Sequence, residues 1–242
     1  MADIDLGDYR SGGYFLITPE PEECASRTEL PPGCIPLSVA RAMAQTFPDW
    51  WAFAWATNER EQSRIARQMK RPPERIIQIQ EWVGLHEQQF GFPNVFLSHA
   101  GMAEFARTFI APAEPVAWIG IGLHVAFVED YLQARQPGDA EGTPGVYQAL
   151  SGRHLLHEGG RVRGFDILHF EYTQFDSWLW KSPHPDFLGS NGKGLNSYGL
   201  LDDAETAIEA ATWAMQVEYD TPNPAPHPNW WLPWIVVDYT PP

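Results

Sequence analysis

With 44% apolar and 13% aromatic residues over 242 positions, eleven of them Trp, the chain has ample material for a packed core, which excludes a disordered chain. A formal net charge of −15 repels phosphate backbones, so it argues against nucleic-acid binding and for basic partners. Two cysteines, Cys24 and Cys34, are too few for a disulfide-built secreted domain, and one bridge between them stays open.

The start, Met1 to Arg10, is acidic and polar, unlike a secretory leader. Residues 14–17 (Tyr-Phe-Leu-Ile) predict a short strand stopped by Pro19 and Pro21. Residues 18–36 read as loop, and Pro36 stands at a first helical turn whose apolar face is Val39, Ala42 and Met43. Asp49 to Trp55 reads as a buried aromatic strand. Glu59 to Arg71 predicts a helix with Arg60, Arg64, Arg67 and Arg71 along one face and Ile65 and Met69 on another. That Arg face is expected to pair with acidic neighbours in the same fold. Pro72 and Pro73 end the helix, a second runs from Glu74 to Gln89, and Val95 to Leu97 and Met102 to Phe109 read as strand and helix.

A Pro/Ala-rich stretch, Ala111 to Pro115, suggests a boundary between an N-terminal α/β lobe, 1–115, and a C-terminal α+β lobe, 116–242; one continuous domain is the open alternative. Beyond it come a strand at Val116–Ile121 and a helix at Val125–Gln133 with Val125, Val128 and Leu132 inward. Residues 136–145 and 182–195 are Gly/Pro-rich loops. Between them Gly164 to Tyr172 reads as a strand that Phe175 to Trp180 pairs with. Asp202 to Glu218 is the clearest helix. Asp202 is placed as its cap, with Glu205 completing a capping box, and Ala204, Ala207, Ile208, Ala211 and Met215 form its inner face. Trp234 to Tyr239 closes the chain as a strand. The irregular alternation predicts the α+β class: a mixed, largely antiparallel sheet with flanking helices. No apolar run reaches the length of a membrane span, so no membrane partner is expected, and the chain reads as cytoplasmic.

Catalytic patterns fail at their second element. His86-Glu87 lacks the His that a zinc-protease helix carries at position 90, which is Phe90. His169-x-Glu171 lacks the downstream Cys pair of the zinc deaminases. Gly192-Lys193 sits in a loop without the spacing of a phosphate cradle, and Gly194 stands where the metal-binding hydroxyl belongs. The residues two before Lys70, Lys181 and Lys193 are Gln68, Leu179 and Asn191, not the acids of a restriction-type nuclease. The reading is therefore no catalytic residue, no metal and no cofactor. Acidic pairs such as Glu129/Asp130 and Asp202/Asp203 keep one alternative open, a carboxylate-based hydrolase, with carbohydrate as its candidate substrate. A structural scaffold is a third. Adjacent Trp residues in an extended chain point to opposite faces, so Trp230 and Trp231 cannot both enter one core, and one of them is a candidate exposed anchor.

Several segments carry a resemblance: Trp118-Ile119-Gly120-Ile121-Gly122-Leu123, Gly164-Phe165-Asp166-Ile167-Leu168, Phe175-Asp176-Ser177-Trp178-Leu179, Asn196-Ser197-Tyr198-Gly199-Leu200-Leu201 and Trp231-Leu232-Pro233-Trp234. The series resembles immunity proteins encoded beside polymorphic and type VI secretion toxins, TsiT and its relatives, which guard against toxins with a restriction-endonuclease fold. It spans residues 115–240. The resemblance implies a binding protein without a catalytic set, whose partner is a cognate toxin with a basic surface. On that expectation the toxin-facing surface lies at Asp202, Asp203, Glu205 and Glu209, with Trp230 or Trp231 nearby.

Overall fold

The computed structural model describes residues 4–19, 44–47, 58–68, 71–86, 88, 90–91, 95–112, 116–134, 144–171, 174–181, 194–196, 198–219 and 231–240. Cys24, Cys34, Trp230, the helix expected after Pro36 and the aromatic strand expected at 49–55 lie outside them.

A 3₁₀ turn at Leu6–Asp8 leads into β1 (Tyr9–Pro19), which starts five residues earlier than its apolar core suggested. β2 (Ala44–Phe47) follows, then α1 (Glu59–Gln68) and α2 (Pro73–Leu85). Pro73 opens α2 rather than only ending α1, because proline costs nothing where the N–H has no helical acceptor. β3 (Phe90–Gly91) and β4 (Val95–Phe96) are short, and α3 (His99–Phe109) starts at the Ser98 cap, whose hydroxyl accepts the Gly101 N–H. β5 (Ala117–His124) runs directly into α4 (Val125–Ala134). α5 (Pro144–Ser151) begins in the last two residues of the 136–145 stretch read as loop and continues through residues to which the sequence assigned no element. β6 (Arg161–Glu171), β7 (Gln174–Ser177), the single turn α6 (Trp178–Lys181), α7 (Ala204–Tyr219) and β8 (Leu232–Tyr239) complete the order.

The strands form one eight-stranded sheet in the order β3-β4-β1-β5-β8-β6-β7, with β2 also on β1. Every ladder among the described residues is antiparallel. The fold is α+β. β1 pairs with β5 from Tyr9↔His124 to Ile17↔Ala117, so segments on both sides of residue 115 share this sheet. Two bulges bend it, at Ser11/Gly13 and Val162/Gly164. Gly13 (φ +116°) and Gly164 (φ +137°) occupy conformations that a side chain rarely adopts, and a Cβ on Gly164 would lie 2.5 Å from the Leu201 carbonyl oxygen.

Alternate residues of the central strands feed two separate cores, as the period of a strand requires. Tyr14, Leu16, Trp118, Ile235 and Val237 pack with Ile76, Ile79 and Val83 of α2, Met102, Phe105 and Phe109 of α3, and the alanines of α7. Phe15, Ile119, Ile121, Leu123, Trp234 and Val236 pack with Val128 and Tyr131 of α4 and Val146 and Leu150 of α5. Helices thus cover both faces, and β5 and β8 are buried almost throughout. In α4 Val128 and Tyr131 are buried and Leu132 packs against the same core, as its spacing predicted; Val125 is exposed, contrary to its assignment from spacing. No helix among the described residues is long and apolar enough to cross a membrane.

α7 also turns differently from its sequence reading. Its buried face is Ala207, Ala210, Ala211 and Ala214, an i, i+3, i+4, i+7 set, and Ile208 is 42% exposed. Four alanines let the helix backbone lie close against β8 and β6; an inward Ile208 would hold it away. Trp213, on the flank, meets Trp178 edge to face at 5.3 Å.

Candidate functional site

Two regions concentrate polar side chains at the surface: the outer face of α7 and a cavity beside β1.

The start of α7 is built by the Asn196–Leu201 segment. Phe165 and Leu201 exchange backbone hydrogen bonds of 2.8 and 2.9 Å, which docks the segment on β6. Asn196 organises it: its Oδ1 accepts from the Tyr198 and Leu200 N–H groups, and its Nδ2 donates to the Arg163 carbonyl at 2.8 Å and to Asp202 Oδ1 at 3.0 Å. Asp202 is therefore held by Asn196 and is not the cap. The cap is Asp203, whose Oδ1 accepts the Thr206 N–H at 2.8 Å while the Thr206 hydroxyl donates to the same carboxylate. Thr206 takes the position assigned to Glu205 in a capping box, leaving Glu205 exposed. Glu209 is exposed one turn on, with Ile208 between the two acids.

Of the two candidate aromatic anchors, Trp231 is excluded. Trp231 is 2% exposed and packs in the core, its ring 5.6 Å from that of His169, so it presents no surface to a partner. The chain enters β8 at this point with Trp231 turned to one core and Trp234 to the other. Trp230 lies outside the described residues. Asp202, Asp203, Glu205 and Glu209 are all exposed at the start of α7, the first two also bonding the helix entry, whereas Trp231 lies beneath.

Two acids elsewhere are ion-paired. Glu129 pairs with Arg153 at 2.7 Å, and Asp238 with Arg163 at 2.9 Å. Of the arginine face, Arg64 pairs with Glu61 on its own helix at 2.8 Å. Arg75, on α2, donates to the Thr108 carbonyl at 2.6 Å and lies over Phe109, tying α2 to the end of α3. Asp166 on β6 is fully buried; Ser177 donates to its Oδ1 at 2.5 Å and the Ile167 N–H at 2.8 Å. Desolvation pushes its pKa up to about 7 despite both bonds. Sealed inside the sheet, it offers a substrate no access.

The second region is a cavity of about 620 Å³ lined by Tyr14, residues 97–100, part of α5 and the loop after it, with His99, His154 and His157 in its wall. It forms where the outer edge of β1 lacks a full neighbour. β4 meets β1 only at Tyr14↔Phe96, and farther on the edge is covered by the loop, through the Arg10↔Leu155 bridge and the Ser11 N–H to His154 carbonyl bond of 2.8 Å. The loop is pinned at His157 from both sides. Its N–H donates to the Tyr14 hydroxyl at 2.9 Å, and its carbonyl accepts from the Tyr239 hydroxyl at 3.1 Å. The imidazoles of His99 and His157 stack at 4.0 Å and 10°.

Glycines in β5 make room for this arrangement. A Cβ on Gly120 would lie 2.8 Å from the Tyr239 ring and 3.1 Å from that of Tyr14, and one on Gly122 would lie 2.4 Å from Leu156. Burial raises the pKa of both phenols, so they stay hydroxyls. Burial first, and the neighbouring His157 second, lower that of His99, so its ring is neutral near pH 7. Sequence reasoning missed the site because His99 and His157 are remote in the chain. Its one signal was Gly120-x-Gly122 inside a strand, which marks close approach by another group.

Among the described residues no group of three or more His, Cys, Asp or Glu is placed to hold a metal ion. The chain matches no family, no curated protein and no solved structure.

Proposed function

We propose that this chain is a binding inhibitor: an immunity protein that neutralises a cognate bacterial toxin by protein–protein contact, acting in the cytoplasm without catalysis. The observation that carries the reading is the outer face of α7, where Glu205 and Glu209 flank the exposed Ile208 on a chain of net charge −15. A toxin that acts on nucleic acid needs a basic cleft. An acidic helix with one apolar side chain at its centre complements such a surface, and long-range attraction speeds the encounter. Ile208 supplies an apolar contact at the centre of this face, and Trp230 remains the aromatic anchor expected from the sequence. Asp202 and Asp203 contribute charge while holding the helix entry, and the resemblance to immunity proteins of nuclease toxins agrees with this chemistry.

The test is rescue. A nuclease toxin sought among the genes beside this one is expressed alone and together with this chain, and the pair is then purified by a tag on one partner. Survival with a stable complex is the expected result. Toxicity unchanged by co-expression, with no complex, would remove the proposal.

A further inference from the structure

The cavity beside β1 has no part in the α7 reading and does not depend on it. Three features make it more than a gap in the packing. Its volume of about 620 Å³ lies in the range of sites that hold small molecules. Its wall is preorganised, since two buried tyrosine hydroxyls from β1 and β8 fix the backbone of a single loop residue, His157. And its polar lining has one chemical character. On a strongly acidic chain, the described residues around the cavity include three imidazoles, the carboxamides of Gln88 and Gln148 and the Ser98 hydroxyl, but no carboxylate.

That lining selects among ligands. A cation would meet no counter-charge among the described lining residues. A metal ion needs nitrogen lone pairs that converge, whereas rings stacked at 4.0 Å and 10° direct theirs side by side. An anion is suited. The imidazole N–H groups, the carboxamides and the hydroxyl donate hydrogen bonds to it. His99 and Ala100 also open α3, where the first N–H groups have no helical carbonyl to donate to.

We propose that this cavity binds a small organic anion, its acidic group held by His99 and His157 and its body resting against Leu97, Ala149 and Leu155. The titratable groups packed against His99 are His157 from the loop, Tyr14 from β1 and Tyr239 from β8, and His154 is the third imidazole of the wall. Glu104, farther along α3, faces His86 instead, at 3.5 Å. The phenols stay neutral, so among the described lining residues the imidazoles meet the anion. Burial disfavours the charged form of His99 and the bound anion favours it, so binding takes up a proton there and weakens as pH rises.

The test is calorimetry on the full chain with citrate, inorganic phosphate and the uncharged triethyl citrate, at pH 6 and pH 8. Citrate or phosphate is expected to bind at one site per chain at pH 6, at least about tenfold more weakly at pH 8, with proton uptake revealed by the dependence of the heat on the buffer. Triethyl citrate is expected not to bind. Stronger binding of citrate assigns a carboxylate ligand, and stronger binding of phosphate a phosphorylated one. His157→Gln keeps both backbone bonds to the tyrosines, and it should weaken binding at least about tenfold while near-UV circular dichroism stays unchanged; His99→Gln should do the same. Absence of binding by both anions at pH 6, equal binding of triethyl citrate, or affinity unchanged in both folded variants would overturn the proposal.

Discussion

The outer face of α7 takes Glu205, Ile208 and Glu209 from a single stretch of helix, whereas the histidine cavity draws its wall from β1, the β4–α3 junction, α5 and the loop after it. The first is set by local spacing: once the alanines face the sheet, the acids must face out. Its electrostatics are those of exposed charge, screened by salt and tolerant of substitution. The second depends on contacts between residues more than a hundred positions apart, and on glycines that leave room for them. A surface of the first kind suits attraction of a large partner. A wall of the second kind suits a fixed geometry for a small one.

Substitutions can separate the two. Gly120→Val should have the largest effect. The added side chain collides with Tyr239 and Tyr14, so we expect a loss of roughly 1–3 kcal/mol in urea denaturation, with the cavity disrupted and partner binding by α7 retained in the folded fraction. Loss of both together would show that the regions are coupled through the sheet.

Asp166→Asn tests the scaffold that carries both. The folded-state pKa of Asp166 is raised, to about 7, above its ordinary 3.8. Its proton is therefore held more tightly in the folded state. The associated stability is fully present below the ordinary value and is lost as pH rises through about 7. Between pH 5 and 8 the wild-type chain should lose on the order of 2 kcal/mol from this group, and the Asn variant should lack that component. Parallel pH profiles for the two proteins would show that the carboxyl is not titrating there.

Asp203→Ala should cost about 1 kcal/mol of thermal stability by removing the cap of α7, and Asp202→Ala less than half of that. A reversed order would return the cap to Asp202. The smallest effect on stability belongs to the pair Glu205→Gln and Glu209→Gln, within about 0.5 kcal/mol of wild type. In a stopped-flow experiment against the toxin, the same pair should slow association several-fold at low salt and flatten its salt dependence. Unchanged kinetics would place the binding surface elsewhere.

The α+β class, the Ala-rich helix near residue 210 and the long strands flanking residues 120 and 165 were legible because each rests on local periodicity or on helix-entry chemistry. The details that failed are the ones decided by neighbours. Asp202 and Asp203 are both good caps in isolation, and only the docking of Asn196 beside Asp202 leaves the role to Asp203. Trp230 and Trp231 were equal candidates for exposure, and packing in the core beside His169 removes Trp231 from the pair. Ile208 fits an inner face by hydrophobicity, but the alanines next to it allow a closer approach to the sheet.

The sequence alone determined composition, charge and the repeating patterns of its elements, because these depend on residues a few positions apart. Tertiary structure alone decided that β1 lies beside β5, that Tyr14 and Tyr239 meet at His157 and that His99 stacks on the same residue. Those contacts join distant segments, and no local propensity encodes which pairs of segments meet once the chain buries its two cores.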